Sequence, residues 1–143
     1  MDTSAPLVWN DSLMTGVPDI DEQHRILVHS LTEARAKLAD ETSPDVLEAI
    51  TQDLLAYALY HFETEEALMH ETGYSAAGGA DARQHLAEHR DFSAQVVAMR
   101  STLKAGIHVA PDVLLGFLNN WLAKHIMHTD KRFAAYMLGR ADR

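Results

Sequence analysis

Histidines and acidic residues recur in this chain at the spacing of one helical turn. His61 and Glu65 are four residues apart, and so are His85 and His89. Side chains at positions i and i+4 lie on the same face of an α-helix, so each pair presents two donor atoms in one direction. Such a pair can chelate one metal ion or bridge two ions. A solvated polar face explains any single pair at least as well.

The elements that must position these residues can be predicted from the apolar pattern. Four segments repeat apolar residues every three or four positions, which is typical of a helix with one buried face. We expect these helices to begin at Asp19, Ser43-Pro44, Asp81 and Pro111. A capping box from Asp19 to Glu22 would start the first helix. Gly73 would end the second helix, and residues 73–80 would form a loop.

Four helices joined by short connections predict an all-α fold, an up-down-up-down antiparallel four-helix bundle. The whole chain, residues 1–143, is expected to form one domain. Residues 1–18 would be an irregular N-terminal arm that carries Trp9. No segment shows the sustained period-2 alternation of a β-strand.

Charge and composition exclude several classes of function. The net charge is −9 and Lys and Arg do not cluster, which argues against nucleic-acid binding. No apolar run approaches the ~18 residues of a membrane span, and no secretory signal is visible. We therefore expect no membrane association and a cytoplasmic location. The absence of cysteine excludes disulfides, iron–sulfur clusters and thiolate-bound zinc, so any metal must be held by nitrogen and oxygen.

Each of the four helices carries at least one histidine within its apolar stripe. These residues are His24, His61, His85, His89 and His125. Buried polar groups without partners are costly, and a metal ion bound by neutral imidazoles removes that cost. Five nitrogens exceed the four ligands of a structural zinc ion. A dinuclear centre of iron or manganese, bridged by a carboxylate, fits the set better.

Spacing on the fourth helix favours one further ligand over another. His128 lies three residues after His125, whereas Asp130 lies five residues after it, about 140° away around an ideal helix. Spacing alone therefore selects His128. The chain has no Glu-x-x-His sequence, which argues against the carboxylate-rich ferritin-like proteins.

Several segments are similar, in order, to those of a known family. They are Trp9, DIDEQH (19–24), HFETEEALM (61–69), HLAEH (85–89) and WLAKHIMHTD (121–130). Together they resemble the hemerythrin family, in particular the single-domain bacteriohemerythrins, over nearly the whole chain. The resemblance implies reversible O2 binding at a non-haem di-iron centre, for oxygen storage, delivery or sensing. It implies an O2-binding protein rather than an enzyme, with no catalytic residues.

The resemblance also implies a ligand set for two iron ions (Fe2+/Fe3+) joined by an oxo or hydroxo bridge. One six-coordinate iron would be bound by His85, His89 and His125. The other would be bound by His24 and His61 and would keep an open position for O2. Glu65 and Asp130 would bridge the two irons. The resemblance thus selects Asp130 where spacing selects His128.

Apolar residues beside the ligands would shield the open position from protons and reductants. The candidates are Phe62, Trp121, Leu122 and Ile126, for each of which ordinary core packing is the alternative. Glu66 is expected to be solvated, and the segment Ser75–Arg83 is longer than is usual in the family. The other histidines are expected at the surface: His29, His70, His108 and His128.

Two other classes of function remain open. One is an enzyme, either a di-iron oxidase or peroxidase or a protein that handles nitric oxide. The other is a sensor module that acts on a separate protein. No particular protein partner is predicted.

Overall fold

Helices form most of the computed structural model, which describes residues 6–141, with side chains as far as residue 139. They are α1 (Pro18–Asp40), α2 (Pro44–Glu71), α3 (Tyr74–Ala77), α4 (Gly79–Lys104), α5 (Pro111–Lys124) and α6 (Lys131–Ala141). A π-helical turn, His125–Asp130, joins α5 to α6 without leaving helical geometry. Helix α1 packs against α2 and α5, and α4 packs against α2 and the π-helical turn. The predicted all-α, antiparallel four-helix bundle is confirmed.

The start of α2 is as predicted, but the start of α1 differs from the prediction. Ser43 Oγ accepts a hydrogen bond from the Val46 amide at 3.3 Å, and Pro44 occupies the first helical position. Helix α1 begins at Pro18, one residue before the predicted cap, so Asp19 lies inside its first turn and the Asp19 capping box is wrong. Proline favours this first position because its fixed φ suits the helix and its missing N–H needs no partner there.

The connection between α2 and α4 is more ordered than the predicted loop over residues 73–80. Gly73 has a φ of 82°, a left-handed conformation that ends α2 as predicted. Residues Tyr74–Ala77 then form one helical turn, and α4 begins at Gly79 rather than at Asp81. The buried Tyr74 ring lies 4.8 Å from the Phe133 ring, centroid to centroid, and anchors this turn. The connection thus packs against α6 through Tyr74.

The described part of the N-terminal arm, residues 6–17, is fixed to the bundle. The backbone amide of Leu7 donates to Asn119 Oδ1 at 2.7 Å, and Leu13 is buried in the core. The Asp21 carboxylate accepts bonds from the Thr15 amide and hydroxyl, at 2.7 and 2.8 Å. Trp9 is half-buried against the core. Residues 1–5 of the predicted arm lie outside the described residues.

A layer of polar side chains divides the core into two apolar clusters. The larger cluster includes Leu27, Leu31, Leu55, Phe62, Phe92, Leu122 and Ile126. The smaller one consists of Ile20, Met69, Tyr74, Ala82 and Phe133. The buried histidines and carboxylates lie between members of the two clusters on α1, α2 and α4, and along α5, the π-helical turn and α6 taken together. Among the described residues, no helix combines the length and the apolar composition that crossing a bilayer requires.

Candidate metal centre

Seven side chains meet in the polar layer, and each is at most 3% exposed. They are His24 from α1, His61 and Glu65 from α2, His85 and His89 from α4, and His125 and Asp130 from the π-helical turn. These are the seven residues that the resemblance implied as ligands. The helices carry the five histidines and Glu65 inward because each takes an apolar position on a core-facing stripe, whereas Asp130 does not follow that spacing.

The donor atoms at the centre of this layer make no hydrogen bonds. The five histidine Nε2 atoms and the four carboxylate oxygens of Glu65 and Asp130 are all buried without a hydrogen-bond partner. They nevertheless lie close together, with N···O distances from 2.6 Å, between His24 and Asp130, to 3.8 Å, between His125 and Glu65. Buried polar atoms rarely lack partners. Lone pairs that converge without hydrogen bonds are the arrangement that a metal ion satisfies.

The donor atoms form two groups, each compact enough to surround one ion. One group consists of Glu65, His85, His89 and His125, and the other of His24, His61, Glu65 and Asp130. Glu65 belongs to both. Asp130 also reaches the first group, because Asp130 Oδ1 lies 3.1 Å from Nε2 of both His85 and His125. Each carboxylate therefore faces histidines of both groups, and the residues fit a pair of ions with two carboxylate bridges.

The π-helical turn decides which residue of the fourth helix enters the centre. A π-helical turn closes its hydrogen bonds between residues five apart, so positions i and i+5 lie one above the other. Asp130 is therefore fully buried beside His125, while His128 is exposed. Spacing selects His128 only in an ideal α-helix, and the helix departs from that geometry at this point.

Three of the five histidines have a partner at the outer ring nitrogen, Nδ1. Nδ1 of His61 lies 2.7 Å from Gln23 Oε1, Nδ1 of His125 lies 2.8 Å from Glu88 Oε1, and Nδ1 of His89 lies 3.0 Å from Glu66 Oε2. Because each partner atom is an acceptor, Nδ1 carries the hydrogen and Nε2 presents its lone pair to the centre. The partners of the Nδ1 atoms thus select the histidine tautomer that can bind a metal ion.

The sequence prediction for Glu66 needs correction. Its side chain is 46% exposed, so it is partly solvated, but it also accepts the hydrogen bond from His89. Neither spacing nor the resemblance predicts Gln23, Glu88 or Thr129 as site residues, although all three lie within the motifs that carry the resemblance. The Thr129 hydroxyl donates to Glu88 Oε1 at 2.7 Å, which holds that carboxylate against His125. These contacts cross between helices, and spacing along one helix cannot reveal them.

The charges of the centre favour protonated imidazoles when no ion is bound. Burial alone would lower the pKa of His85, but the carboxylates of Asp130 and Glu65 raise it to about 9. Burial would also lower the pKa of His125, but the same two carboxylates and that of Glu88 outweigh this effect. They hold the pKa of His125 well above its ordinary value. Burial would raise the pKa of Glu65, yet His61 and neighbouring donors keep it well below the usual range. Without metal ions, protons on the imidazoles thus balance the negative charge of the two carboxylates at the place where cations would bind.

The four predicted pocket residues all lie close to the centre or in the adjoining core. Phe62 is buried and stacks on His89, with ring centroids 4.0 Å apart. Trp121 is half-buried and stacks on His125 at 4.5 Å. Leu122 and Ile126 are buried in the larger apolar cluster. The four histidines predicted at the surface are all exposed: His29, His70, His108 and His128.

Comparisons with known proteins agree with the motifs and the fold. Residues 15–137 match the family described as the hemerythrin HHE cation binding domain. A bacteriohemerythrin of Pseudomonas aeruginosa is 35% identical over 126 residues, 88% of this chain and 78% of that protein. A myohemerythrin of Riftia pachyptila is 26% identical over 129 residues, 90% of this chain and 92% of that protein. The crystal structure of a wild-type hemerythrin shares the fold, with a TM-score of 0.80 at 24% identity over 92% of this chain and 97% of that one. The chain therefore belongs to the hemerythrin family.

Proposed function

We propose that this protein binds O2 reversibly at a non-haem di-iron centre. The observation that supports this most directly is that Glu65 belongs to two groups of ligand atoms at once. A carboxylate shared in this way bridges two ions, and a donor set of imidazole and carboxylate without sulfur suits iron. Membership of the hemerythrin family supports the choice of iron and of O2.

The proposed ligand set divides the histidines unequally between the ions. One ion would be bound by His85, His89 and His125, and the other by His24 and His61. Glu65 and Asp130, which face histidines of both groups, would hold both ions. With one histidine fewer, the two-histidine side would leave room for a small ligand. When bound, the iron pair would supply the two electrons that O2 takes up.

The residues around the centre limit what can reach it. Phe62, Leu122 and Ile126 are each at most 3% exposed and belong to the larger apolar cluster. An apolar, water-poor surrounding keeps protons and reductants away from a bound small molecule. We assign these residues and Trp121 to the O2 pocket. Reversible binding, rather than turnover, is the expected outcome, with storage, delivery or sensing as the physiological use.

An anaerobic-to-aerobic optical titration with iron analysis tests the proposal. We expect about two irons per chain and a charge-transfer spectrum that disappears on deoxygenation and returns with O2. Rapid, irreversible oxidation would instead support the oxidase, peroxidase or nitric-oxide alternative. A protein that purifies with a single zinc and no iron would refute the metal assignment.

His61→Ala and His70→Ala make a matched pair for the ligand set. Both histidines are on α2, but His61 is buried in the centre and His70 is exposed. His61→Ala should lose O2 binding and about one iron, while His70→Ala should keep both. Unchanged O2 binding in His61→Ala would contradict the assignment.

A further inference from the structure

The outer nitrogens of the histidines have different partners on the two sides of the centre. On the three-histidine side the partners are carboxylates: Glu88 Oε1 lies 2.8 Å from His125 Nδ1, and Glu66 Oε2 lies 3.0 Å from His89 Nδ1. Two negative charges therefore lie directly behind two ligands of the same ion. The third histidine of that side, His85, has a buried Nδ1 without a hydrogen-bond partner.

The two-histidine side has no carboxylate at the corresponding atoms. The partner of His61 Nδ1 is the neutral amide oxygen of Gln23, at 2.7 Å, and the Gln23 amide nitrogen donates to Thr64 Oγ1 at 3.2 Å. Nδ1 of His24 is buried without a hydrogen-bond partner. The inner carboxylates, Glu65 and Asp130, face both sides. The charge difference between the sides therefore comes from the outer partners.

A carboxylate behind an imidazole strengthens that imidazole as a ligand. It accepts the Nδ1 hydrogen, raises the basicity of Nε2 and adds negative charge near the cation; loss of such a partner commonly weakens metal binding by about 10–100-fold. Glu88 should act more strongly than Glu66, because its side chain is 22% exposed against 46% for Glu66 and is also held by Thr129. Solvent screens the more exposed charge.

We propose that the two ion positions have unequal affinities and that Glu88 is the positioning residue that makes the three-histidine position fill first. The inference rests on the proposed dinuclear centre but goes beyond it. A form with a single ion then exists, with the ion bound by His85, His89 and His125. The two-histidine position, where the small ligand would bind, is completed last and is emptied first.

Titration of the metal-free full chain with Co2+, under anaerobic conditions and against a competing chelator, measures both affinities. We expect two resolved binding steps. Glu88→Gln keeps an oxygen that can accept from His125 and Thr129 but removes the charge. It should weaken the first step by about tenfold and change the second step little. Glu63→Gln is the matched control, because it removes an equal charge from an exposed position on α2 and should change neither step.

The reciprocal variant is Gln23→Glu, which places a carboxylate behind His61. It should tighten the second step and reduce the difference between the two affinities. A merely structural role for these residues does not predict opposite effects on the two steps. This variant also tests the proposal if Glu88→Gln does not fold.

The position of the first ion can be seen directly. Crystals of the wild-type protein grown with one equivalent of Co2+ should show anomalous density beside His85, His89 and His125. Density at the two-histidine position, or equal density at both, would overturn the proposal. So would equal weakening of both steps by Glu88→Gln, or an effect of Glu63→Gln as large as that of Glu88→Gln. Failure to bind two ions under any condition would instead refute the proposed dinuclear centre.

Discussion

His125 Nε2 lies 3.1 Å from Asp130 Oδ1, although the two residues are five positions apart. In a regular α-helix this separation would turn the carboxylate about 140° away from the histidine. The π-helical turn over His125–Asp130 brings them to one face and leaves His128 exposed. A local change of helix type thus replaces an imidazole with a carboxylate in the centre.

Because of the π-helical turn, substitutions of Asp130 and of His128 should have different effects on metal binding. Asp130→Ala should lower the affinity for metal ions by more than about 100-fold, since it removes a shared ligand rather than an outer partner. His128→Ala should leave metal content unchanged and alter the free energy of unfolding by less than about 0.5 kcal/mol, as exposed substitutions usually do. Metal analysis and chemical denaturation of both variants measure these effects. Metal loss in His128→Ala with retention in Asp130→Ala would contradict the structure.

Removal of the shared ligand should affect both ions, whereas removal of a terminal ligand should affect one. Glu65→Gln is expected to reduce the bound metal from about two ions to fewer than one, because Glu65 is the residue common to both groups. His24→Ala should keep about one ion, at the three-histidine position. Mass spectrometry of the native protein counts the ions in each variant. Equal losses in the two variants would show that Glu65 is not shared.

Metal binding should become stronger as the pH rises. Without an ion, burial would lower the pKa of His85, but Asp130 and Glu65 raise it to about 9. His85 is therefore protonated at neutral pH, and an ion must displace that proton to bind. The apparent affinity should increase from pH 7 to pH 9, with protons released. Calorimetry in buffers of different ionisation enthalpy counts them, and a pH-independent affinity would argue against this charge state.

The stability of the metal-free protein should follow the opposite trend. A histidine whose pKa is raised from about 6.5 to about 9 stabilises the folded state fully below pH 6.5. This contribution is lost as the pH rises through 9, because the folded protein then loses the proton that balanced the carboxylates. Denaturant midpoints between pH 6 and pH 9.5 should fall for the metal-free protein. The metal-loaded protein should not show this decrease.

Phe62 should protect reversible O2 binding more than it protects the fold. Phe62→Leu opens space beside His89, which its ring contacts, and admits water to the centre. The number of cycles of O2 uptake and release before irreversible oxidation should fall several-fold. Phe92→Leu is the control, since Phe92 is buried in the same cluster. Each substitution should lower the free energy of unfolding by about 1 kcal/mol. If both variants lost a similar number of cycles, the effect would come from the packing of the core in general and not from a specific role of Phe62.

The bundle and the burial of five histidines follow from local sequence features. Apolar spacing identifies the long helices, and each histidine takes an apolar position within that spacing, so its inward direction needs no knowledge of the other helices. Pro44 and Gly73 likewise mark the ends of α2 by their own backbone preferences. These features depend on residues within one or two turns of each other.

Other features depend on contacts that one helix cannot reveal. Asp130 could be assigned only through the family resemblance, because a π-helical turn breaks the periodicity on which spacing arguments rest. The roles of Gln23, Glu66 and Glu88 depend on which histidine each faces across the bundle, and their types and spacing suit exposed positions equally well. The helical turn at Tyr74 could not be predicted for the same reason, because the ring that Tyr74 packs against, Phe133, lies on α6.

The polar layer that separates the two apolar clusters has a consequence for folding. Among the described residues, the smaller cluster has five buried members, with partly buried side chains packed against them, at the end where α3 connects α2 to α4. The polar layer contributes little apolar attraction between this cluster and the larger one. Without ions, that end should therefore open as a local unfolding unit while the larger cluster stays folded. Hydrogen exchange would show it as fast exchange confined to the parts of α1, α2, α4 and α6 that carry the smaller cluster. Ions bound by ligands from all four helices of the bundle would couple the two ends into one cooperative unit. The ions that would bind O2 would then also keep the two ends of the bundle folded together.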